Sequence, residues 1–367
     1  MTIFGTRPEI IRLSCVFANL DAHVTHVMVH TGQSFDYEMD KVFFEEMKIR
    51  KPDHFLEVKS ATLGQQIAKI IERSETVMLR EKPDAVLVLG DTNSALAAIV
   101  AKRMKIPVFH MEAGNRCFDE RVPEEVNRKI VDHVSDINLP YSENARLYLL
   151  REGVHPGSIF VTGSPIAEVL SHYKKQIEKS SALKDLKLTK QKYFVASIHR
   201  EENVDSESAF RTLIESLNAV AEHYKLPIVV STHPRTAMRI KEYGMKASSL
   251  VQFYKPFGYF DYIQLQKNAF CVLSDSGTIL EESALLGFPA IQPRVSSERP
   301  EAFDEGIAIL SGLQADIILQ AIEVVTSQKA RGEVFHVPEH YQDTNVSSKV
   351  VRHIVGLTKI VAKKRTV

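Results

Sequence analysis

The sequence predicts an α/β protein made of two Rossmann-like, doubly wound domains. Short β-branched runs alternate with helical segments along the whole chain, which favours parallel sheets with helices on both faces. About twelve candidate strands are present, too many for one compact sheet. The length of 367 residues also fits roughly two domains. We therefore expect one parallel sheet in each half of the chain.

The candidate strands are apolar runs that end in polar residues. Those of the first half are TIFG, HVTHVMVHTG, AVLVLGD, IPVFHMEAG, DINLPYS and IFVTGS. Those of the second half are YFVASIH, PIVVSTHP, LVQFYKP, AFCVLSDSG, FPAIQP and GIAIL. Between them, segments such as LGQQIAKIIERSETVMLREK and AFRTLIESLNAVAEHY repeat apolar residues with the period of an amphipathic helix.

The domain boundary is predicted in a lysine-rich polar stretch. Residues 171–192, SHYKKQIEKSSALKDLKLTKQK, are predicted to link a first domain of residues 1–170 to a second domain of residues 193–345. The remaining segment, residues 346–367, has the pattern of one amphipathic helix that packs back on the domains.

Composition narrows the class of protein. The 46 lysines and arginines equal the 46 aspartates and glutamates, so no overall field favours nucleic acid. Three widely spaced cysteines suit a reducing cytoplasm better than a disulfide framework. The start MTIFGTRPEI lacks the regions of a signal peptide, and no apolar run approaches the ~18 residues of a membrane span. The first strand is short before Gly5, so we expect further residues upstream. We expect a cytoplasmic protein that binds neither nucleic acid nor membrane.

Polar residues follow the candidate strands where parallel sheets bind ligands, at the carboxyl ends of strands near switch points. They are Thr6-Arg7, Asp91-Thr92 and Glu112 in the first half, and His199-Arg200, His233 and Asp275-Ser276 in the second. Each of these polar positions, taken alone, could instead be a helix cap or a loop hydrogen bond. Six such positions together favour a ligand site. Two domains of this type would form that site in a central cleft between them.

Glu112 follows four largely apolar strand residues, where an ionised carboxylate needs a cationic partner or a wet cleft. Directly downstream, PEEVNRK has the proline and acidic first turn of a helix start. Glu124 and Arg128 lie four residues apart in this helix, so they are either functional or an ordinary surface ion pair. The apolar face of the helix is predicted to be buried and consists of Val126, Ile130 and Val134.

The stretch LSDSGTILEESALLG, Leu273 to Gly287, resembles a phosphate site. A strand ends at Asp275, and Ser276 and Gly277 open a helix whose backbone N–H groups could bind phosphate. Glu282 could then accept a hydrogen bond from a ribose hydroxyl. The alternative is that Ser276 is only a helix cap and Glu282 a solvated side chain.

Other residues suit a nucleotide diphosphate. Arg7 and Arg12, in GTRPEIIR, follow the first strand and are of the type that binds diphosphate, although a salt bridge between Arg7 and Glu9 is the alternative. Phe257, in YKPFGYFDY, could stack on a base, although such aromatics are more often core. The sequence contains no G-x-G-x-x-G, P-loop, H-E-x-x-H, C-x-x-C or G-x-S-x-G motif, which argues against a dinucleotide site, an NTPase, a metal centre and an α/β-hydrolase.

In order along the chain, these motifs resemble the non-hydrolysing UDP-N-acetylglucosamine 2-epimerase family. The matching segments cover nearly the whole chain and are GTRPEIIR, GQSFDYEM, GDTNSALAA, HMEAGNR, PEEVNR, HREEN, DSGTILEES and SERPEA. The resemblance implies a glycosyltransferase-B type fold and epimerisation at C2 of a UDP-2-acetamido sugar, by removal of the C2 proton, departure of UDP and its re-addition. It implies no nicotinamide, no other cofactor and no metal, and it suggests a homodimer.

The resemblance also assigns roles to residues. It implies that the catalytic residues are Asp91, Glu112, Glu124, His199 and Arg128. It implies that the UDP-sugar is bound by Arg7, Arg12, Phe257, Ser276, Gly277, Glu282 and Arg299, with Glu282 on the ribose.

Three departures point to a branch of the family. The common pattern has lysine at Arg12, glycine at Thr278, and an LRTGD-like loop where this chain has NRCFDERV between EAG and PEE. The loop resembles that of the branch that makes UDP-N-acetyl-L-fucosamine from UDP-2-acetamido-2,6-dideoxy-β-L-talose for capsule or O-antigen. Interconversion of UDP-N-acetylglucosamine and UDP-N-acetylmannosamine is the alternative substrate pair.

Three other classes compete with this interpretation. A glycosyltransferase of the same fold would share the phosphate helix without requiring Asp91, Glu112 and Glu124 together. A nucleotide-sugar binding protein would have no turnover, and a hydrolysing epimerase would release UDP.

Overall fold

The computed structural model describes residues 1–32 and 37–363, which form two compact units. The first unit contains Met1–Arg116, Pro123–His172 and the segment from Glu339 onward. The second contains Cys117–Val122 and Tyr173–Pro338. The predicted motif GQSFDYEM, residues 32–39, lies partly outside the described residues.

Each unit has a six-stranded, wholly parallel sheet. The strands of the first are Thr2–Phe4 (β1), Met28–His30 (β2), His54–Phe55 (β3), Val86–Leu89 (β4), Val108–Met111 (β5) and Ile137–Leu139 (β6). The strands of the second are Phe194–Ser197 (β7), Ile228–Ser231 (β8), Val251–Tyr254 (β9), Cys271–Ser274 (β10), Ala290–Gln292 (β11) and Ile309–Leu310 (β12).

Both sheets have the strand order of a doubly wound fold. The orders are β3-β2-β1-β4-β5-β6 and β12-β11-β10-β7-β8-β9. The order reverses between β1 and β4 in the first sheet and between β7 and β10 in the second, and these are the positions at which such sheets bind ligands. The prediction of two Rossmann-like domains is therefore confirmed.

Helices cover the sheets of both units. Those of the first are Arg7–His23 (α1), Tyr37–Glu46 (α2), Leu63–Glu81 (α3), Ala97–Arg103 (α4), Glu124–Val134 (α5), Glu143–Arg151 (α6) and Ile166–His172 (α7). Those of the second are Lys174–Glu178 (α8), Ala182–Asp185 (α9), Glu201–Val204 (α10), Glu207–Tyr224 (α11), Pro234–Glu242 (α12), Tyr259–Asn268 (α13), Thr278–Leu286 (α14), Pro300–Asp304 (α15) and Ala315–Ala330 (α16).

The long amphipathic helices begin at hydroxyl residues that cap them. Helix α3 starts after Thr62, whose hydroxyl accepts a hydrogen bond from the backbone N–H of Gln65, and helix α11 starts after Ser206, which does the same for Ala209. Both end at a lysine with left-handed backbone, Lys82 at φ 46° and Lys225 at φ 53°. Their apolar faces pack into the core of their unit, as their periodicity predicts.

One predicted strand is wrong and one strand of the first sheet was not predicted. The segment IFVTGS, predicted as a strand, forms only one isolated bridge, between Ile159 and Asn138. Its chain turns away at Gly163, where φ is +85° and a Cβ atom would lie 2.2 Å from the Asp343 carboxylate. The sixth strand of the sheet is instead β3, whose two residues are too few to produce an alternating pattern.

The predicted buried face of α5 is wrong for Val126 and Ile130, whereas Val134 is half-buried against the core of the first unit. Val126 is 54% exposed and Ile130 is 37% exposed. The side of the helix that faces the protein carries mostly charged residues, because Glu125, Arg128 and Asp132 are buried there in ion pairs. The inward face of this helix is therefore largely ionic.

The segment predicted as a linker is structured. Residues 171–192 contain the end of α7 and the helices α8 and α9, which pack against α13 of the second unit. The chain leaves the first unit after His172 and returns to it at Glu339.

The C-terminal helix Val346–Lys363 (α17) belongs to the first unit and packs against α1. The Glu168 carboxylate of α7 accepts hydrogen bonds from the backbone N–H of Ser347, at 2.8 Å, and from its hydroxyl group. This carboxylate therefore satisfies a backbone donor in the first turn of α17, where an anion is favoured.

Among the described residues, no helix is both long and apolar enough to cross a membrane. Cys15, Cys117 and Cys271, all within the described residues, form no disulfide bond.

Candidate active site

Glu112 lies directly after β5 in a backbone conformation that is unusual for glutamate. Its φ is 64°, in the left-handed region that glycine and asparagine normally occupy. Its N–H donates to the carbonyl of Leu139 at 3.1 Å, so the neighbouring strand holds this turn. Sparsely populated backbone conformations of this kind cluster at functional sites.

The Glu112 carboxylate has the cationic partner that its position requires. Arg12 NH1 forms an ion pair with Glu112 Oε2, and both side chains are about nine-tenths buried. Asn115 Nδ2 donates to the other carboxylate oxygen at 3.2 Å. The carboxylate also lies over Gly90, where an added Cβ atom would be 3.5 Å from Oε2. The structure thus brings together two predicted site residues, Arg12 and Glu112.

Asp91 follows β4 and is held by Arg128 of helix α5. Arg128 donates to Asp91 Oδ2 from Nε at 3.0 Å, and its NH2 lies 2.8 Å from the same oxygen. A second bond from Arg128 NH1 runs to buried Glu125 at 2.9 Å. Asn127 Nδ2 donates to the backbone carbonyl of Asp91 at 3.0 Å. Helix α5 therefore fixes both the backbone and the carboxylate of Asp91.

Glu124 is the first residue of α5 and is half-buried. Arg128 forms ion pairs with Asp91 and with Glu125, which lies three residues before it in the helix. Arg128, which the family resemblance predicts to lie beside the catalytic carboxylates, thus binds Asp91.

The turn after β1 places Arg7 at the start of α1. Gly5 is required there, because a Cβ atom would lie 2.0 Å from the Thr31 hydroxyl. Buried Glu9 accepts bonds from Gly5 N–H at 3.1 Å, Thr6 Oγ1 at 2.7 Å and Thr92 Oγ1 at 3.3 Å. Burial raises the pKa of Glu9 to about 7, although these donors act in the opposite direction. Glu9 therefore ties the β1 turn to the β4 turn.

In the second unit, Asp275 positions His199. The His199 Nδ1 atom lies 3.1 Å from Asp275 Oδ1, and the backbone N–H groups of His199 and Arg200 donate to the same carboxylate at 3.0–3.1 Å. Asn203 Nδ2 adds a bond at 3.2 Å. Burial alone would raise the pKa of Asp275, but His199 and these donors lower it to about 2. The His199 ring is one-third exposed, and the buried Asp275 carboxylate fixes its orientation.

Ser276 and Gly277 precede α14 at the end of β10. The Ser276 hydroxyl lies 2.9 Å from the Thr278 hydroxyl, and it accepts only a long bond of 3.4 Å from the Thr278 N–H. Gly277 has φ −65°, a conformation open to any residue, and Thr278 is the first residue of α14. The first N–H groups of α14 have the orientation that suits a phosphate.

The remaining predicted binding residues have distinct environments. Glu282 is buried and accepts a bond from Gln266 Nε2 at 2.8 Å. Arg299 is 2% exposed, with its NH2 3.8 Å from Glu281 Oε2. Phe257 is half-buried after β9, with its ring 5.7 Å from that of Tyr254. The alternative of a solvated Glu282 is therefore wrong.

Sequence reasoning missed several buried ionic groups. In the second unit, Arg294 binds Glu298 through two hydrogen bonds of 2.9 and 3.1 Å, and Glu202 lies 3.1 Å from the same guanidinium. In the first unit, buried Asp132 binds Arg116. Asp132 stands in the apolar run IVDHV, but Arg116, Arg294 and Glu298 lie in polar stretches, and neither pattern identifies an ionic partner.

Comparison with known proteins identifies the family. A family model described as UDP-N-acetylglucosamine 2-epimerase matches residues 18–355, far more than half of the chain. The chain belongs to this family. It is consequently an isomerase, which removes the glycosyltransferase and the non-enzymatic binding protein as alternatives.

Solved structures of the family resemble the chain over its whole length. A UDP-N-acetylglucosamine 2-epimerase from Rickettsia bellii is 45% identical with a TM-score of 0.92, covering 100% of this chain and 98% of that one. The UDP-GlcNAc 2-epimerase of Methanocaldococcus jannaschii, solved with UDP-GlcNAc and UDP, is 36% identical with a TM-score of 0.91, covering 97% and 99%. These matches confirm the glycosyltransferase-B type of fold.

A curated relative has another substrate in its name. The UDP-2,3-diacetamido-2,3-dideoxy-D-glucuronate 2-epimerase of Pseudomonas aeruginosa is 35% identical over 362 residues, which are 97% of this chain and 99% of that one. Members of this 2-epimerase family thus differ in the sugar named for them while they share the 2-epimerase activity.

In the described residues of this family member, no group of three or more histidine, cysteine, aspartate or glutamate side chains is arranged to hold a metal ion.

Proposed function

We propose that the chain epimerises C2 of UDP-2-acetamido-2,6-dideoxy-β-L-talose and so forms UDP-N-acetyl-β-L-fucosamine, a precursor for capsule or O-antigen. The observation that carries the reaction type is the set of carboxylates at the carboxyl edge of the first sheet. Asp91 and Glu112 are each held by an arginine there, and Glu124 starts the adjoining helix.

The proposed reaction has two steps, the elimination of UDP and its re-addition. A carboxylate removes the C2 proton while the bond between C1 and the diphosphate oxygen breaks, and UDP departs with the electron pair to leave a glycal-type alkene. A protonated side chain then delivers a proton to the opposite face of C2, and the diphosphate oxygen adds back to C1. Such chemistry needs more than one acid or base group, which this set of carboxylates and His199 supplies.

The departing diphosphate needs positive charge and N–H donors. We assign these to Arg7 and Arg299, to Ser276 and Gly277, and to the first turn of α14. We assign Glu282 to the ribose and Phe257 to the base. The buried position of Glu282 supports this, because the buried carboxylate has a fixed orientation from its bond with Gln266. Arg12 supports the sugar site indirectly, since its partner is Glu112.

The substrate branch rests on the loop NRCFDERV, Asn115–Val122. Its first residue donates a hydrogen bond to the Glu112 carboxylate, so a change in this loop alters the surroundings of a proposed catalytic group. The second candidate is interconversion of UDP-N-acetylglucosamine and UDP-N-acetylmannosamine, which is favoured by the names of the Rickettsia and Methanocaldococcus relatives. We further propose that the protein is cytoplasmic and forms a homodimer.

The test compares turnover of both UDP-sugars by proton NMR. We expect kcat/KM for the 6-deoxy-L-talose sugar to exceed that for UDP-N-acetylglucosamine by at least about tenfold, which corresponds to ~1.4 kcal/mol of transition-state discrimination. The reverse ratio would assign the protein to the glucosamine branch. Absence of turnover with either sugar would contradict C2 epimerisation of both.

A further inference from the structure

A buried glutamine lies beside the turn that precedes α14. Gln292 is the last residue of β11, the strand next to β10 in the second sheet, and it has no exposed surface. Its side-chain Nε2 donates a hydrogen bond of 3.3 Å to the backbone carbonyl of Ser276, two residues after the end of β10. The side chain therefore connects one strand to the turn that follows its neighbour.

The carbonyl of Ser276 and the N–H of Gly277 belong to the same peptide group. This group is planar and trans, so its N–H points in the direction opposite to its carbonyl, and a bond that fixes one fixes the other. Because Gln292 holds the carbonyl toward β11, the Gly277 N–H is directed to the other side of the turn. It lies next to the N–H donors of the first turn of α14, where an anion is favoured.

The glutamine and the turn are each fixed by backbone contacts of their own. The backbone carbonyl of Gln292 accepts a hydrogen bond of 3.0 Å from the N–H of Ser311, just after β12. The N–H of Ser276 donates to the hydroxyl of Ser274 at 3.2 Å. The Gln292 amide thus joins two segments whose positions are already set, which lets it control the direction of one peptide group.

Packing alone does not account for an amide at this position. Within residues 1–32 and 37–363, the buried Oε1 atom of Gln292 has no hydrogen-bond partner. Burial of an unpaired amide oxygen costs free energy that an apolar side chain of similar size would avoid. The bond from Nε2 to Ser276 is therefore the contact that gives the amide a purpose.

A cation faces the turn from the second unit itself. In the described part of the chain, a Cβ atom built on Gly277 would meet, apart from its chain neighbours, only Arg200 NH2 within 4 Å, at 4.0 Å. The backbone of Gly277 is thus open on that side, with a guanidinium across the opening. A guanidinium together with backbone N–H donors suits an anion that has several oxygen atoms, such as a phosphate.

We propose that Gln292 is a positioning residue, which holds the Ser276–Gly277 peptide so that the Gly277 N–H donates to the diphosphate of the substrate. The identity of this anion rests on the proposed function, in which UDP binds at this turn. The hold of Gln292 on the Ser276 carbonyl needs no ligand, so the two can fail separately.

The first test is NMR of the unliganded, full-length protein labelled with carbon-13 and nitrogen-15. We expect the Gln292 side-chain amide to exchange slowly with solvent. In Gln292→Met, the carbonyl carbon of Ser276 should shift upfield, because it has lost its donor. The matched control is Gln320→Met, at an exposed glutamine of α16, which should leave that carbon unchanged.

An unchanged Ser276 carbonyl in Gln292→Met would overturn the proposal. Fast exchange of the Gln292 amide with solvent would also overturn it, and that measurement needs only wild-type protein, even if the variant fails to fold.

The second test compares UDP with uridine, which lacks the diphosphate, by NMR titration of the same proteins. In the wild type, UDP but not uridine should move the Gly277 amide proton downfield, as a hydrogen bond to a phosphate oxygen does. Gln292→Met should reduce this shift and raise the Kd of UDP by about fivefold to twentyfold, while the Kd of uridine changes by less than about twofold. Gln320→Met should match the wild type with both ligands.

An equal rise in the Kd of UDP and of uridine in Gln292→Met would mean that Gln292 supports the fold of the second unit in general, and would contradict the proposal. UDP that binds the wild type without moving the Gly277 amide would overturn the assignment of the diphosphate to this turn. The expected shifts in a protein that turns over neither UDP-sugar would uphold the role of Gln292 and reject the proposed function.

Discussion

At the scale of single residues, the backbone of Glu112 shows how the fold places a charged group. A glutamate with left-handed φ costs about 1–3 kcal/mol, and the surrounding contacts must compensate for it. Here the neighbouring strand binds its N–H, and Arg12 and Asn115 bind its carboxylate. The backbone strain at Glu112 therefore occurs where the fold fixes a carboxylate at the carboxyl edge of the sheet.

Glu9 gives the first prediction, a dependence of stability on pH. Its pKa is about 7 against an ordinary value of 4.5. Because the folded pKa is raised, the stabilisation is complete below the unfolded pKa and is lost as the pH rises through the folded pKa. Glutamine imitates the protonated carboxyl. We expect Glu9→Gln to be more stable than wild type at pH 8 by up to about 3 kcal/mol, with little difference at pH 4.5.

Urea unfolding of both proteins at the two pH values measures this difference. Exposed Glu75 supplies the matched control, Glu75→Gln, which should follow the wild type at both. A Glu9→Gln variant that is less stable than wild type at pH 8 would show that the buried carboxylate is needed in its ionised form.

Single residues also show where prediction from sequence succeeds. Glu112, Asp91 and His199 could be singled out because each polar residue directly follows an apolar strand. Their partners could not be found, since Arg128 reaches Asp91 from 37 positions away and the His199 contact spans 76. Long-range ion pairs depend on how the helices pack, and a local pattern carries no information about that.

At the scale of elements, sequence patterns did not predict the very short strand β3 or the charged inward face of α5. Strand β3 has two residues and cannot show an alternating pattern. The face of α5 was assigned by its valines and isoleucine, but the helix buries Arg128 and Asp132 instead. The apolar rule failed there because buried charges that are paired with each other can replace apolar contacts.

The C-terminal helix gives a prediction at the element scale. Glu168 accepts bonds from both the N–H and the hydroxyl of Ser347 in the first turn of α17. Ser347→Ala removes the hydroxyl bond to Glu168 and the 3.1 Å bond that the hydroxyl accepts from Asn19, and it keeps the N–H bond. We expect a loss of about 1 kcal/mol in the free energy of unfolding, together with faster hydrogen exchange in the first turn of the helix.

The neighbouring exposed serine provides the comparison. Ser348→Ala removes only a 3.2 Å contact with Asn19 at the surface and should change stability by less than about 0.5 kcal/mol. Equal effects of the two substitutions would mean that helix propensity, rather than Glu168, accounts for the loss.

At the scale of the whole molecule, each unit supplies a different part of the proposed chemistry. The first holds Asp91, Glu112 and Glu124, and the second holds the turn of Ser276 before α14. Two domains were predictable from strand count and alternation. The exchange of segments between the units was not, because residues 117–122 join the second unit before residues 123–172 return to the first, and the chain from Glu339 onward returns to the first unit again.

This division predicts that binding and chemistry can be lost separately. Ser276→Ala should weaken UDP binding by about tenfold in titration calorimetry, as expected for the loss of one hydrogen bond to a charged group. Glu112→Gln should keep the UDP affinity of wild type and lower kcat by about 10²–10⁴. The controls are the exposed Ser208→Ala and Glu75→Gln. A loss of UDP affinity in Glu112→Gln equal to that in Ser276→Ala would contradict the division.

Deuterium uptake at C2 tests the central claim most directly. Wild-type protein is incubated in heavy water with UDP-2-acetamido-2,6-dideoxy-L-talose, and C2 is followed by proton NMR beside the Glu112→Gln variant. We predict that the product carries solvent deuterium at C2, that UDP remains attached, and that the variant exchanges at least about a hundredfold more slowly. An epimerised product that retains its original C2 hydrogen would contradict proton abstraction, and accumulation of free UDP would indicate a hydrolysing enzyme instead.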